Sequence, residues 1–352
     1  MQIDANRGLC GAAPPSSRHP VIDLILARAR SKSQPGARTD GAVLGLSFEG
    51  GGMRGITSAG MGLALAQLGL TDAFDVVYGA SAGAFNGAYF VSRQGPFGIT
   101  IYYEEINNRR FINLLRPLCG QPAVSLDYLF DVAMTSKKPL DFDAFSHSQI
   151  PLRVLASNLT LRKTTIFDTF LSREDLFLKL RASSAMPFLT GPPVNIDGEL
   201  YSDASLYESI PLRSAINLSA SICCSHVLVL RSRPMGAVRE PLSFIHRNVI
   251  GNSLRRCGDE LYSDLMRTPQ IYAEDLALLS KNATEGDSGP YLYQVATPSG
   301  TPVVSHFERR RDELVQAASA GMKAMIRALT GEEATVEELI MPLRQNGRSF
   351  DL

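Results

Sequence analysis

The sequence predicts an α/β protein: a three-layer α/β/α arrangement with a mainly parallel central sheet, followed by a mostly helical C-terminal region. Three observations carry this. Short apolar runs alternate with helix-patterned segments from Val43 to Arg231. The runs are continuously apolar, as strands covered on both faces are. Two of them end in glycine-rich turns that open directly into Ala-rich, proline-free stretches.

Taken in order, residues 1–40 read as a Pro/Ser-rich arm with one short helix, Val21–Arg30. Docking on the main domain is the favoured role for that helix; ten residues bury too little area to hold a membrane alone. Val43–Phe48 is a buried strand, followed by Gly50-Gly51-Gly52-Met53-Arg54-Gly55 and a helix over Ile56–Leu68. Val76–Tyr78 is the next strand, then Gly79-Ala80-Ser81-Ala82-Gly83 and a helix to Ser92. Residues 99–116 and 125–134 have helical periodicity, with Ser125 as a cap. Arg109, Arg110 and Arg116 read first as solvated charges and only secondarily as a headgroup contact.

Strands are expected at Leu152–Leu159 and Lys163–Asp168. Ser172-x-x-Asp175 caps a helix over Glu174–Ser183, which Pro187 terminates. Asp197-Gly198 is a hairpin turn before a strand at Leu200–Ser202, and His226–Arg231 is a further strand. Beyond it, Ser243–Arg267, Gln270–Lys281 and His306–Leu329 are helical, with a strand at Tyr291–Val295. Lys281–Gly289 is a surface loop, and Thr335-x-x-Glu338 caps a last short helix. The expected organisation is an arm over 1–40, a catalytic domain over 41–235 and a helical extension or cap over 236–352.

Composition narrows the function. The 352 residues are 45% hydrophobic, ample for a core, and carry 35 basic and 35 acidic side chains. No basic block exists for nucleic acid. Five cysteines without C-x-x-C spacing argue against a disulfide framework or zinc site. There is no HExxH and no EF-hand loop, so neither a metal nor a cofactor is expected. No secretory signal or membrane-spanning run is evident. A cytoplasmic protein with occasional membrane-surface contact is the expectation; oligomeric state is open.

The chemistry concentrates in the two glycine turns. Ser81, on a tight strand-to-helix bend flanked by Gly79 and Gly83, has the setting of a nucleophile elbow. The triple glycine offers backbone N–H groups beside a helix N-terminus, a cradle for negative charge. Gly50-x-Gly52-x-x-Gly55 also matches a dinucleotide fingerprint. The acidic residue that fingerprint needs after the next strand is missing, and no Lys-Ser/Thr follows as in a P-loop.

These two turns together resemble the patatin-like phospholipase family. Arg181-Ala182-Ser183-Ser184-Ala185-Met186-Pro187-Phe188 is similar to its Ser-x-Ala-x-Pro stretch. The resemblance covers about residues 43–215. It implies hydrolysis of acyl esters of lipids, of phospholipase A or lysophospholipase type, by a Ser-Asp dyad. The nucleophile would be Ser81 and, by register ahead of Ile210-Pro211, the base would be Asp203; Ala204 stands where the family has glycine. The expected oxyanion donors are the N–H groups of Gly51, Gly52 and Met53, supported by Gly50, Arg54, Gly55, Gly79 and Gly83. A partly buried Asp203 would serve better as a base than a solvated one. The rival mechanism is a Ser-Asp-His triad using His226, His246 or His306. Rival functions are a nucleotide-binding α/β protein using the glycine loop and a catalytically silent binding module.

Overall fold

The computed structural model describes residues 18–217, 221–239, 241–244, 246–282 and 290–331, without the side chains of His246 and Asn282. Residues 1–17 of the N-terminal arm, residues 283–289 of the expected Lys281–Gly289 loop and the cap at Thr335 lie outside these residues. Among the described residues, no helix is long and apolar enough to cross a membrane.

Among the described residues, eight strands form one sheet: β1 Leu44–Phe48, β2 Val76–Ala80, β3 Leu152–Asn158, β4 Lys163–Phe167, β5 Val194–Ile196, β6 Glu199–Ser202, β7 His226–Leu230 and β8 Tyr291–Val295. Their order is β5-β6-β3-β2-β1-β7-β8, with β4 also on β3. Strands β3, β2, β1, β7 and β8 run parallel; β4, β5 and β6 are antiparallel additions. The principal helices are α1 Pro20–Ser31, α2 Gly55–Gln67, α3 Ala82–Val91, α4 Arg173–Ser184, α5 Glu260–Asn282 and α6 Arg311–Thr330.

Alternation along the strands divides the core into two layers. Leu44, Leu46 and Phe48 of β1 and Leu228 and Leu230 of β7 join the cluster that holds α2, α3 and α6. Val227 and Val229 of β7, with Val76, Tyr78 and Ala80 of β2, face Tyr272 and Leu279 of α5 and the segment Ile210–Ala215. Both faces are thus covered, which is why these strands read as unbroken apolar runs. The stretch after residue 235 supplies β8 to the sheet and α6 to the first layer. Two glycines let α6 lie backbone to backbone on α2: a Cβ on Gly60 would stand 2.2 Å from the Ala318 carbonyl oxygen, and one on Gly321 2.1 Å from that of Thr57.

Several local expectations change for identifiable reasons. Residues 99–116 are not one helix. A π-helical turn at Ile101–Glu105 stops because the Asn108 side chain takes the N–H groups of Arg110 and Phe111. Conversely, α5 runs through Pro269 instead of breaking there. The Leu265 carbonyl, which the imide nitrogen cannot satisfy, accepts the Thr268 hydroxyl at 2.9 Å. Residues 243–267 are interrupted at Cys257-Gly258, and α6 begins at Arg311 rather than His306. Before it, the Glu308 carboxylate takes the N–H groups of Arg309 and Arg310. The Ser125 and Ser172 caps form as expected, on Tyr128 and Asp175. Asp197 and Gly198, both at positive φ, make the β5–β6 turn.

Helix α5 holds a buried carboxylate against the segment that follows β6. Burial pushes Asp275 up to about 7, against the pull of Arg213, whose Nε stands 2.7 Å away. An acid with a raised folded-state pKa keeps a proton that the unfolded chain has already released. Its contribution to stability is therefore present at low pH and falls as pH rises from about 4 to about 7. Asp275→Asn, which mimics the protonated form, should flatten this loss and leave the variant more stable than wild type above pH 7 by about 1–3 kcal/mol. Urea unfolding at several pH values measures it; an unchanged pH slope in the variant contradicts the assignment.

Candidate active site

The site forms where two strands end against a third. Along one edge of β3, β2 pairs with Leu152–Leu155 and β6 with Ser157 and Asn158. The other edge is occupied by β4 over Val154–Asn158, so β2 and β6 share the same edge and run toward each other. Extending either register by one residue arrives at Ala156. Ser81 follows β2 and Asp203 follows β6, so both meet there. The Ser81 hydroxyl donates to Asp203 Oδ2 at 2.8 Å.

Each partner is held by its backbone. Ser81 sits at φ 53°, ψ −124°, left-handed backbone that an L-residue adopts only at a cost of about 1–3 kcal/mol. Its N–H is caught by the Ser183 hydroxyl at 2.8 Å. No room exists beside it for side chains: a Cβ on Gly79 would lie 2.4 Å from Ala84 Cα, and one on Gly83 2.2 Å from the Phe48 carbonyl oxygen. Asp203 is 7% exposed. Its N–H goes to the Ala185 carbonyl, and its second oxygen, Oδ1, accepts the Ser205 N–H at 2.8 Å. Oδ2 is thereby left to Ser81.

The glycine loop lies directly against the bend. A Cβ on Gly50 would stand 2.5 Å from the Ala80 carbonyl oxygen and 3.1 Å from Ser81 Cβ. Gly51 and Gly52 have φ 155° and 59°, and their N–H groups donate to nothing among the described residues. Met53 differs from the expectation. Its N–H is spent on the His306 carbonyl at 3.2 Å. Gly55 is fixed from behind: its carbonyl accepts the Ser58 hydroxyl and Asn86 Nδ2, and Asn86 Oδ1 accepts the Tyr102 hydroxyl.

Below the loop is a charge network that sequence reasoning missed. Glu49, 1% exposed, accepts Arg231 Nε at 3.1 Å, the Ser232 N–H at 2.7 Å and the Tyr272 hydroxyl at 2.7 Å. Burial alone would push this carboxyl up; Arg231, the Tyr272 hydroxyl, Arg233 and Arg54 together hold it below its ordinary value. The Ser232 hydroxyl in turn donates to the Gly50 carbonyl at 2.8 Å, tying the network to the loop. A charged residue at each end, Glu49 after β1 and Arg231 after β7, was the available signal. Arg54 is 5% exposed, and burial followed by the charge of Arg233 brings its guanidinium down to about 10. Its Nη2 stands 2.9 Å from His306 Nε2; a guanidinium only donates, so the ring accepts. Arg239 reaches the Ser205 carbonyl and the Ser209 hydroxyl, both at 3.3 Å.

The histidines stand apart from the Ser81–Asp203 contact. His226 pairs with Leu44, at the opposite end of the sheet. His306 engages the glycine loop, His147 is exposed on Asp143, and His19 stacks on Tyr293. The His246 side chain lies outside the described residues. Among the described residues, no three His, Cys, Asp or Glu side chains are grouped to hold a metal.

Residues 46–216 match the family model of the patatin-like phospholipases. The matched stretch is just under half of the chain. An Escherichia coli (strain K12) protein, the uncharacterized protein YjjU, is 28% identical over 192 residues, 54% of this chain and 52% of its own length. The chain thus spans about half the length of that curated relative. Among solved structures, VipD from Legionella pneumophila is similar with a TM-score of 0.40 and 14% identity, over 82% of this chain and 67% of its own. A human GIVD cytosolic phospholipase A2, in complex with methyl gamma-linolenyl fluorophosphonate, gives 0.37 and 14%, over 89% and 63%. The matched stretch contains every residue named for the chemistry, from Gly50 to Asp203; Arg231, Tyr272 and His306, which brace it, come from beyond residue 216.

The Glu49 network yields a sharp expectation. Glu49→Gln leaves Arg231 buried without its counter-charge, and breaking a buried pair on one side typically costs about 3–5 kcal/mol. Urea denaturation should register a loss of that order. A change below about 1 kcal/mol would mean that the pair does not brace the loop.

Proposed function

We propose that this protein is a serine acyl hydrolase that cleaves carboxylic esters of lipids, of phospholipase A or lysophospholipase type. The observation that carries the reading is the 2.8 Å contact from the Ser81 hydroxyl to Asp203 Oδ2, made on a strained bend against the glycine loop. The family match over residues 46–216 supports the substrate class.

A neutral serine is a weak nucleophile and needs a base within hydrogen-bond reach. Asp203 Oδ2 takes the hydroxyl proton as Ser81 Oγ bonds to the ester carbonyl carbon. The electron pair of the C=O moves to oxygen, and the N–H groups of Gly51 and Gly52 receive that charge. With Met53 committed to His306, these two are the ready donors; Met53 joins only if the His306 strand of chain moves. The tetrahedral species then collapses, the C–O bond to the alcohol breaks, and Asp203 returns the proton to the departing alkoxide. Water, deprotonated by the same carboxylate, hydrolyses the acyl-serine. Gly50, Gly55, Gly79 and Gly83 give the loop and the bend their close approach. Arg54 stabilises the loop through His306. The dyad needs no histidine.

Turnover of a panel of chromogenic esters and phospholipids tests the reading. Ser81→Ala should leave no measurable activity, and Asp203→Asn should lose about 10²–10⁴-fold, the usual worth of a positioned general base. His226→Ala and His306→Ala should remain within about tenfold of wild type. A folded His variant as inactive as Ser81→Ala would require the triad instead, and wild type inert on every ester would overturn the hydrolase reading.

A further inference from the structure

The stretch 109–123 forms a finger whose tip is apolar and whose flanks are basic. Leu114, Leu115 and Leu118 are 60%, 69% and 84% exposed. They are not leucines awaiting a better place, because the finger is internally fixed. Ile112 and Val124 pair in an antiparallel bridge, Asn113 N–H donates to the Ala123 carbonyl at 2.8 Å, and Phe111, Ile112, Ala123 and Val124 are buried at the base. A 3₁₀ turn at Arg116–Cys119 carries the tip. The Arg116 guanidinium donates to the carbonyls of Arg109, Arg110 and Phe111, so it stiffens the finger from within.

The charge around the tip is one-sided. Arg109 and Arg110 are exposed and in no ion pair among the described residues, and residues 107–123 contain no acidic side chain. Of the nearest acids, Glu104 is matched by Lys138, and Asp127 and Asp131 by Arg181; half-buried Glu105 is in no ion pair among the described residues. The finger is also continuous with the candidate active site. Val124 N–H donates to the Leu189 carbonyl at 2.8 Å. Leu189 belongs to the segment Met186–Thr190, in which Met186 and Pro187 line the cleft beside Asp203 and Phe188 is 41% exposed. Insertion of the tip into a surface would bring that cleft close to the same surface.

We propose that this finger is an interfacial anchor that inserts Leu114, Leu115 and Leu118 into an anionic lipid surface while Arg109 and Arg110 meet its headgroups. Apolar side chains beyond a basic collar suit such a surface: hydrocarbon receives the tip and surface charge attracts the collar. The proposal goes beyond the hydrolase reading and does not require it, since binding needs no turnover.

The test uses the full chain with Cys10, Cys223 and Cys257 replaced by Ser, which leaves the exposed Cys119 of the finger as the accessible thiol. An environment-sensitive fluorophore on Cys119 is titrated with vesicles of phosphatidylcholine, alone and mixed with phosphatidylserine, alongside sedimentation of the unlabelled chain. The expected result is a blue shift and co-sedimentation with the anionic vesicles, both weakened by salt. Leu114→Ser/Leu115→Ser/Leu118→Ser should lose at least about tenfold in vesicle affinity. Arg109→Gln/Arg110→Gln should lose about fivefold per arginine and the preference for anionic lipid. Both variants should keep the wild-type melting temperature and, on a soluble short-chain ester, the wild-type turnover; Ser81→Ala should bind vesicles as wild type does. A wild type that binds neither vesicle, or a triple-leucine variant that binds as well as wild type, overturns the proposal. So does a self-association abolished by the leucine variants without vesicle binding, which would make the finger a contact between copies. Vesicle binding without hydrolysis of any ester would sink the hydrolase reading and leave the anchor standing.

Discussion

Two strands aimed at each other along one edge of β3 set the geometry on which everything else rests. Because β4 fills the other edge, β2 and β6 have only one edge left, and their ends stop on either side of Ala156. Residues 81 and 203, 122 positions apart in the chain, become neighbours through sheet pairing and not through loop flexibility. A strand's register is fixed wherever its faces are buried, since a slip of one residue would turn every side chain over. β2 is buried along its whole length and β6 over Tyr201 and Ser202, so the serine–carboxylate distance is set by the core.

The same arrangement explains where stability is given up. Ser81 occupies a backbone region unfavourable to any residue with a Cβ, and three charged groups, Glu49, Arg231 and Arg54, lie almost fully inside the protein next to it. Such features persist only when their surroundings over-determine them. Here the surroundings are specific: Ser183 on the Ser81 N–H, Tyr272 and Ser232 on Glu49, and His306 on Arg54. Most of these braces come from segments far along the chain. The regions beyond residue 216 therefore do more than cover a face; they hold the glycine loop in shape.

Much of this was legible in the sequence, for physical reasons. Glycine tolerates no substitute at a bend with 2.2–2.4 Å clearances, so Gly79 and Gly83 announce the turn around Ser81. The unbroken apolar runs announce a doubly covered sheet, and Asp197-Gly198 announces its own hairpin. What stayed hidden depends on long-range pairing. Nothing near Met53 signals that its N–H meets the carbonyl of His306, and nothing near Glu49 reveals Tyr272 as its partner. Helix boundaries failed where a side chain competed with the backbone, as Asn108 does, or compensated for it, as Thr268 does ahead of Pro269.

Covalent labelling with a fluorophosphonate, followed by peptide mapping and rate measurement, tests most directly whether Asp203 activates Ser81. A single adduct is expected, on the peptide bearing Ser81, formed at least about a hundredfold more slowly when Asp203 is replaced by Asn. An adduct on any other residue, or an Asp203→Asn protein labelled at the wild-type rate, would contradict it.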